Sequence, residues 1–335
     1  MKNNKNILLG HGSGGLLSRS LIEDVFLRAF SNPALAPLND QAVINMTTKK
    51  LAFTTDSYVV NPIFFPGGDI GKLSVCGTIN DLAVGGAMPL YLSASFIIEE
   101  GLAIEDLERI ISSMAEAARD AGVLIVTGDT KVVERGKGDK VFINTAGIGS
   151  LDDCVNLSPT FIAPGDTVLV SGHMGDHGIA IMSRRFDMDV PIDSDCAALH
   201  TLTSEILKCG QGVKAMRDIT RGGLATILNE FARDAGAAIV IDEDSIPIKE
   251  AVRGACEILG FDPLYLANEG KIAVVASRGA ADNVLAVMKR HPLGRDAAII
   301  GTVKETPAGK LLLSTSTGNL RILDMLSGEQ LPRIC

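Results

Sequence analysis

The sequence lacks several features that would assign it quickly to a class of protein. It contains no tryptophan, no CxxC pair and no G-x-x-x-x-G-K-[ST] loop, and aromatic residues make up only 4% of its 335 residues. These absences exclude a zinc knuckle and the P-loop mode of ATP binding. No apolar run approaches the roughly 18 residues of a membrane span, and the stretch MKNNKNILLG is too weakly apolar for a signal peptide. We therefore expect a cytoplasmic protein that does not enter a membrane.

Basic residues are also in short supply. The chain has 40 acidic and 31 basic residues, which gives a formal net charge of -9. A net field of this sign repels polyanions. Nucleic acid is therefore not an expected partner, although a local basic pocket for one nucleotide remains compatible with this charge.

The length and the 46% hydrophobic content favour about two domains. The pattern predicts an N-terminal arm over 1–40, with a strand over 7–9 and a helix over 16–30. An N-terminal α/β domain follows over 41–155, then a C-terminal α/β domain over 156–325 and a mobile tail over 326–335. The expected fold class is α/β (α+β).

Within the two domains, strands and helices alternate. In the first domain the predicted strands and helices are 51–60, 70–86, 90–98, 104–121, 123–133 and 140–150. In the second the predicted elements are 167–171, 178–185, 197–209, 222–235, 237–241, 249–259, 271–276, 280–290 and strands from 298 onwards. A D-x-x-x-G-G pattern occurs once in each half, at Asp81 and at Asp218. This echo suggests that the two halves are related.

A glycine-rich loop follows the first predicted strand. Its glycines formally match G-x-G-x-x-G, but the next helix leads into a proline-bearing connection and not into a second parallel strand, which argues against a dinucleotide fold. Glycines allow backbone N–H groups to approach an anion closely. We therefore take the loop as a phosphate-binding candidate, with a flexible turn as the alternative. The candidate residues are Gly12, Ser13, Gly14 and Gly15.

Four acidic residues lie at predicted strand ends or in apolar surroundings: Asp56, Asp81, Asp129 and Asp218. Ligands of α/β sheets bind at strand ends, so these acids are candidates for one shared site. Asp81 is the most informative, because an acid inside an apolar helix is costly to bury without a cation. Hard oxygen ligands of this kind suit Mg²⁺ bridging to phosphates. The alternative for each acid alone is a helix cap or a turn.

Three cations stand beside glycine-bearing turns, where they could reach a phosphate oxygen: Lys72, Lys131 and Arg221. A solvated surface position is the alternative for both lysines.

Glu269, in the sequence NEGK before an apolar strand, could act as a general base if burial tunes its pKa, and an ordinary turn is the alternative. His173 and His177 have an H-x-x-x-H spacing, but the glycine between them indicates a loop and argues against a zinc site.

The six cysteines lie far apart in the sequence, which argues against a disulfide framework. Four lie in apolar or helical patterns and are predicted core residues: Cys76, Cys196, Cys209 and Cys256. Cys335 differs, because a chain terminus is seldom packed into a core. Its position at the very end argues against prenylation, which needs a cysteine four residues from the end. A terminal thiol behind Pro332 and Arg333 suits a mobile arm that carries an acyl-type group between two sites, with coincidence as the alternative.

Together these motifs resemble a known family. The matching segments are HGSGG, TTDSYVVNPIFFPGGDIGKL, GTINDLAVGGAMP, GDTKVV, RDITRGG, NEGK, HPLGRDA and the final PRIC. They resemble the hydrogenase expression/formation proteins called HypE, over nearly the whole chain from Gly10 to Cys335. That family belongs to an ATP-binding superfamily with aminoimidazole ribonucleotide synthetase, selenophosphate synthetase and thiamine monophosphate kinase.

The resemblance implies a PurM-like fold of two domains, in which the N-terminal domains of a homodimer pair into a β-barrel. It implies that a carbamoyltransferase, HypF, carbamoylates Cys335. ATP then drives dehydration of this thiocarboxamide to a thiocyanate. The cyanide is passed to iron on a HypC–HypD complex, as a ligand for [NiFe]-hydrogenase.

The resemblance also implies roles for individual residues. Asp56, Asp81 and Asp218 would hold Mg²⁺ and the ATP phosphates. Asn80, Asp129, Thr130 and the loop from Gly12 to Gly15 would lie nearby. On the chemistry of the reaction, Glu269 is our candidate base, and Lys131 is our candidate for stabilising charge on the transferred phosphoryl group. Our own candidates for the ATP site also include Lys72, Arg221 and Gly222.

Two other functions stay open at this point. One is a sister enzyme such as a selenophosphate synthetase, but that family carries a reactive cysteine or selenocysteine in the glycine-rich loop, where this chain has Ser13. The other is a non-catalytic maturation scaffold that binds ATP only to control partner docking. ATP hydrolysis that depends on a carbamoylated tail separates an enzyme from a scaffold.

Overall fold

The computed structural model describes residues 6–13, 16–36, 38, 41–44, 46, 50–210, 212–325 and 334–335. Gly14, Gly15 and most of the predicted tail, 326–333, lie outside these residues. In the part of the chain that is described, no helix is long and apolar enough to cross a membrane.

The N-terminal arm is helical. A 3-10 turn spans Leu9–Gly12, and a continuous helical segment follows: α1 (Leu16–Leu21), a π-helical stretch (Ile22–Leu27) and α2 (Arg28–Phe30). The strand predicted over 7–9 is wrong. Ile7 is fully buried and exchanges backbone hydrogen bonds with the turn at 101–102, so its apolar character reflects core packing and not a strand.

The N-terminal domain is a four-stranded sheet with helices on one face. Its elements are β1 (Lys50–Tyr58), β2 (Phe64–Phe65), β3 (Gly68–Asp69), α3 (Ile70–Val84), β4 (Met88–Glu99), α4 (Ile104–Asp120), β5 (Leu124–Val133) and β6 (Val141–Leu151). The sheet order is β1-β6-β4-β5, and β4 and β5 are parallel while the other pairs are antiparallel. Large apolar side chains remain exposed on its strands, among them Leu51, Phe53, Ile97 and Leu124.

The C-terminal domain contains a seven-stranded sheet. Its elements are β7 (Thr167–Val170), α5 (Asp176–Arg185), α6 (His200–Leu207), β8 (Val213–Asp218), α7 (Gly223–Ala235), β9 (Ala238–Asp242), α8 (Glu250–Leu259), β10 (Ile272–Ala276), α9 (Arg278–Arg290), β11 (Ala298–Lys304), β12 (Leu311–Ser314) and β13 (Leu320–Ile322). The sheet order is β13-β12-β9-β11-β7-β10-β8. Core clusters on both faces of this sheet pack against α7 on one side and α6 and α9 on the other.

Helix α3 lies between the domains. It begins at the N-cap Asp69, whose carboxylate accepts hydrogen bonds from the amides of Gly71 and Lys72. Nearly every residue of α3 is buried, because the helix packs on the first sheet and also contacts α6 and β8 of the second domain. A helix that is apolar all round is expected to be enclosed in this way. Asp81 is thereby brought to the boundary between the domains.

Two expectations about organisation are corrected. The D-x-x-x-G-G echo is not a structural repeat: Asp81 is inside α3 and its glycines follow the helix end, whereas Asp218 ends β8 and its glycines start α7. The strand-end argument for a ligand crevice applies to parallel sheets, but the described strand pairs of the second sheet are antiparallel except β9 with β12. The acids converge because α3 packs against β8, not because parallel strands end together.

Candidate active site

The last two residues are docked between the domains. The side chain of Ile334 is buried in the apolar cluster of the N-terminal domain, and Cys335 packs against the same cluster. The amide of Val59 donates to the carboxyl-terminal carbonyl of Cys335 at 3.4 Å. The Cys335 thiol is hydrogen-bonded to the side chain of Glu269, and burial followed by the nearby Glu269 charge raises the pKa of this thiol. The terminal sulfur therefore lies directly against the predicted base.

Glu269 is held by its backbone on both sides. Its amide donates to Asp195 Oδ1 at 3.0 Å, and its carbonyl accepts from Asn80 Nδ2 at 3.3 Å. Gly270 is required next to it, because a Cβ there would clash with the carbonyl oxygen of Asp195. These contacts fix the position of the Glu269 side chain relative to the docked tail.

The Glu269 side chain itself is poorly compensated. It is 3% exposed, and among the described residues its Oε1 has no hydrogen-bond partner. Burial, and then the charges of Asp218, Asp195 and Asp56, raises the pKa of Glu269 well above its ordinary value. A carboxyl group in this environment holds a proton more readily than usual, which suits a group that accepts protons during a reaction.

Four carboxyl groups form what we call the acidic cluster: Asp56, Asp81, Asp218 and Glu269. Burial, and then repulsion from Asp81, raises the pKa of Asp218 to about 7. Burial also raises the pKa of Asp81, even though the Thr54 hydroxyl donates to its Oδ2 at 2.7 Å. The structure thus brings together the three acids predicted to hold magnesium.

A cleft of about 550 Å³ opens beside the acidic cluster, between β1 and α3 of one domain and β8 and α7 of the other. Asp81 and Asp218 line it together with Arg217 and Arg221. Arg221 also acts electrostatically on Cys335, so it stands near both the cleft and the docked thiol. Gly222 has a φ of 80° and starts the turn into α7, a conformation that favours glycine.

The acidic cluster fits a magnesium ion that is shared with phosphates. Within the described ranges, no group of three His, Cys, Asp or Glu side chains is placed to hold a metal ion by itself. Mg²⁺ commonly binds one or two carboxylates and completes its shell with substrate phosphates and water. Burial, and then repulsion from Asp81, raises the pKa of Asp218, and a bound cation would offset that repulsion.

Other predicted site residues lie apart from this cleft. Gly12, Ser13, Asp129, Thr130 and Lys131 line a second cavity of about 1170 Å³ between the arm and β4 and β5. The sheet register shows how far this cavity is from Asp56. Asp56 is opposite Thr145, Thr145 is opposite Ala94, and Ala94 is opposite Gly128.

Asp56 lies on β1 and Asp129 on β5, the two edge strands of the sheet, which are three strand spacings or about 14 Å apart. The prediction that Asp129 shares one site with the other three acids is therefore wrong within one chain. Asp129 is exposed and pairs with Lys131 at 3.1 Å, and this contact lowers the pKa of Asp129. Gly12 packs closely on β5, because a Cβ there would lie 2.5 Å from the Val132 amide nitrogen.

Two further predicted ATP ligands are engaged elsewhere. The Asn80 amide group donates to the carbonyls of Ala197 and Glu269 and accepts from the amide of Leu199 at 2.8 Å. Asn80 therefore joins the two domains, and both protons of its amide group are already donated to backbone carbonyls. Lys72 Nζ donates to the Gly67 carbonyl at 3.0 Å, at the start of α3.

The sequence reasoning missed the loop before α6. There, Asp195 accepts from the Glu269 amide and from Asn268, and it pairs with Lys271 at 3.3 Å. Burial opposes ionisation of Asp195, but these partners outweigh it and lower its pKa. A single acid in an irregular segment gives no periodic signal, so only the fold shows its role.

Comparison with known proteins agrees with this architecture. The N-terminal domain model of the AIR synthase related proteins matches residues 38–151, and the C-terminal domain model of that family matches residues 163–314. The class is therefore a two-domain AIR synthase related protein, which confirms the PurM-like fold that the sequence predicted.

Relatives narrow the class further. A carbamoyl dehydratase HypE from Cupriavidus necator is 52% identical over 330 residues, covering 98% of this chain and 94% of that protein. A crystal structure of hydrogenase maturation protein HypE in complex with ATP superposes with a TM-score of 0.94 at 50% identity, covering 98% of this chain and 99% of that one. A HypE–HypF complex matches with a TM-score of 0.80 at 49% identity, covering 92% and 100%. The chain belongs to the HypE family of AIR synthase related proteins.

Proposed function

We propose that the chain is an ATP-dependent carbamoyl dehydratase that acts on a carbamoyl group carried by its own Cys335. The product is a thiocyanate, which supplies cyanide to the iron of [NiFe]-hydrogenase during maturation. The observation that carries this proposal is the contact between the docked Cys335 thiol and the buried Glu269 carboxyl group. The name carbamoyl dehydratase, given to relatives about half identical over nearly the whole chain, supports it.

The reaction removes one water molecule from the thiocarboxamide. The carbamoyl oxygen attacks the γ-phosphorus of ATP, and ADP leaves. The nitrogen then loses its two protons while the carbon–oxygen bond breaks, so the amide oxygen departs in inorganic phosphate and a carbon–nitrogen triple bond remains. Phosphorylation is needed because an amide oxygen is otherwise a poor leaving group.

Glu269 accepts a proton from the carbamoyl nitrogen in this scheme. Its raised pKa makes it a stronger base than an exposed glutamate, and its fixed backbone places it beside the sulfur that carries the substrate. Arg221 is the cation in the same chain that stands near both the cleft and Cys335, so it balances charge that develops on the phosphoryl group.

ATP occupies the cleft with its phosphates toward the acidic cluster. Magnesium, when bound, would be held by Asp81 and Asp218, with Asp56 beside them, and would offset negative charge on the phosphates. The relative whose crystal structure contains ATP supports nucleotide binding. The raised pKa of Asp218 supports a cation at this end of the cleft.

Partners must reach the thiol from outside. HypF supplies the carbamoyl group and the HypC–HypD complex receives the cyanide, and the HypE–HypF complex of a relative supports the first of these. Because Cys335 is partly buried between the domains, carbamoylation requires the tail to leave its docked position. All six cysteines are free thiols, which suits a reaction in the cytoplasm.

The active unit is a homodimer. Exposed apolar residues on the strands of the first sheet, including Phe53 at 70% exposure, support pairing with a second copy. Lys131 lies at the far edge of this sheet from Asp56, so it serves the reaction from the second copy and not from its own chain. The predicted mobility of the tail over 326–335 stays a prediction.

The test uses the tail itself. We expect Cys335→Ser to fold normally but to remain unlabelled when it is incubated with HypF, carbamoyl phosphate and ATP. Cys154→Ser is the matched control, because Cys154 is an exposed thiol far along the chain from the tail. Intact mass reports both, and equal labelling of the Cys335 variant and the wild type would refute the proposal.

A further inference from the structure

The imidazole of His177 lies behind the docked tail and contacts its backbone. His177 is fully buried in the first turn of α5. Its Nε2 lies 2.6 Å from the carbonyl oxygen of Ile334, and its Nδ1 lies 2.8 Å from Ser194 Oγ. The ring therefore connects the residue before Cys335 to the loop that holds Glu269.

The hydrogen-bond chain fixes which nitrogen carries the proton. Ser194 Oγ accepts from the Cys196 amide at 3.1 Å, so the hydroxyl proton of Ser194 is free to donate to Nδ1. Nδ1 is then the acceptor, and the ring proton resides on Nε2. Nε2 donates to the Ile334 carbonyl. Burial lowers the pKa of His177, which keeps this neutral form.

The ring is also held from its other sides. Phe65 contacts it edge-on, with centroids 5.4 Å apart and an interplanar angle of 88°. The Ser194 amide donates to the Pro66 carbonyl at 2.8 Å, so the serine that orients the ring is anchored to the N-terminal domain. A ring fixed in this way presents its Nε2–H at one position.

We propose that His177 is the docking residue for the tail, and that its hydrogen bond to the Ile334 carbonyl sets the register that places the sulfur of Cys335 against Glu269. Cys335 directly follows that carbonyl, so a shift of the hydrogen bond moves its thiol as well. Burial of the Ile334 side chain stabilises the docked tail, while the hydrogen bond from His177 sets its orientation. The inference rests on the proposed function only where it treats the tail as the substrate.

The first test measures docking without ATP or any partner. Cleavage after lysine releases residues 311–335, whose one cysteine is Cys335. We expect His177→Leu, which fills the site but donates nothing, to raise the rate of Cys335 alkylation by N-ethylmaleimide at least about fivefold. His177→Gln, which keeps an N–H donor, should stay closer to the wild type. His291→Gln, at a half-buried histidine that bonds to Thr201 and not to the tail, is the control and should not change the rate. If Cys335 in His177→Leu were alkylated as slowly as in the wild type, the proposal would be overturned.

A second measurement covers the case in which His177→Leu does not fold. In wild-type protein labelled with nitrogen-15 histidine, the His177 ring should show a protected Nε2–H and an unprotonated Nδ1. Removing Ile334 and Cys335 should abolish that protection. An unchanged ring signal in the truncated chain would contradict the assignment of the Ile334 carbonyl as the acceptor.

A third readout separates this inference from the proposed reaction. With a carbamoylated tail and saturating ATP, His177→Leu should slow single-turnover dehydration at least about fivefold. The KM for ATP should stay unchanged. Absence of thiocyanate in the wild type would defeat the proposed function and leave the docking results intact. Fast dehydration with an exposed thiol in His177→Leu would defeat the docking role alone.

Discussion

The thiol of Cys335 and the carboxyl group of Glu269 are hydrogen-bonded to each other, although 65 residues of sequence lie between them. The contact forms at the boundary between the domains, where α3 of one packs on β8 of the other. It places the Cys335 thiol next to a buried, poorly compensated carboxyl group and beside a cleft that suits a nucleotide.

Replacement of Glu269 tests the base directly. We expect Glu269→Gln to leave ATP affinity near normal and to slow thiocyanate formation by about 10²-fold or more, because the amide is nearly isosteric but accepts no proton. Glu100→Gln is a suitable control outside the cleft. Loss of the mass of one water from the carbamoylated chain is the measurement, and normal turnover of the variant would remove Glu269 from the mechanism.

Asp218 links the acidic cluster to stability. Its pKa is about 7 in the folded protein and about 3.8 when unfolded. Between these two pH values the folded state keeps a proton on Asp218 that the unfolded state has released. Stability of the magnesium-free protein should therefore fall as pH rises from 4 to 7, by a contribution on the order of 4 kcal/mol. Urea unfolding at several pH values measures this.

The matched variant is Asp218→Asn, which cannot ionise. It should unfold at higher urea than the wild type at pH 8 and lose much of the pH dependence, while losing dehydratase activity. Magnesium with ATP should stabilise the wild type more than this variant. If the stability of the wild type and of Asp218→Asn depended on pH in the same way, Asp218 would not be the group whose ionisation destabilises the folded protein.

The placement of Lys131 predicts complementation between copies. Lys131→Ala and Glu269→Gln should each be nearly inactive alone. Mixing and reassembling the two should restore roughly a quarter of wild-type activity, because half of the dimers are mixed and each has one intact site. No recovery from a mixture that demonstrably contains mixed dimers would assign Lys131 to its own chain or to no role.

Asn80 is expected to act on Glu269 and not on ATP. Asn80→Ala should destabilise the protein by about 1–3 kcal/mol, because buried backbone groups lose their partners. It should also lower the dehydration rate while leaving the dissociation constant for ATP unchanged. Calorimetric titration with ATP provides the check, and a large loss of ATP affinity with normal stability would restore the predicted ligand role.

The sequence predicts the local elements well and the assembly of the site less well. The sequence places α3 and α4 within a few residues: the apolar and polar positions of α4 follow the helical repeat, whereas α3 is a long, almost wholly apolar segment. The short hairpin of β2 and β3 gives no such signal. Acids such as Asp56 and Asp81 are visible as polar residues in apolar surroundings.

What the sequence does not show is which candidates meet. Asp129 looks equivalent to Asp56 in its strand, and only the sheet order reveals that the two stand on opposite edges. Asn80 looks like a ligand because it adjoins Asp81, yet successive helical residues face different directions. Asp195 and His177 acquire their roles from contacts with segments more than 70 residues away, which no local pattern encodes.

The most direct test of the account is the mass of Cys335 in wild-type protein mixed with HypF, carbamoyl phosphate, magnesium and ATP. We predict that a carbamoyl group appears on Cys335 and then loses one water molecule as ATP is hydrolysed, leaving a thiocyanate. A carbamoyl group that persists on Cys335 while ATP is consumed, or a label on any other residue, would contradict the account.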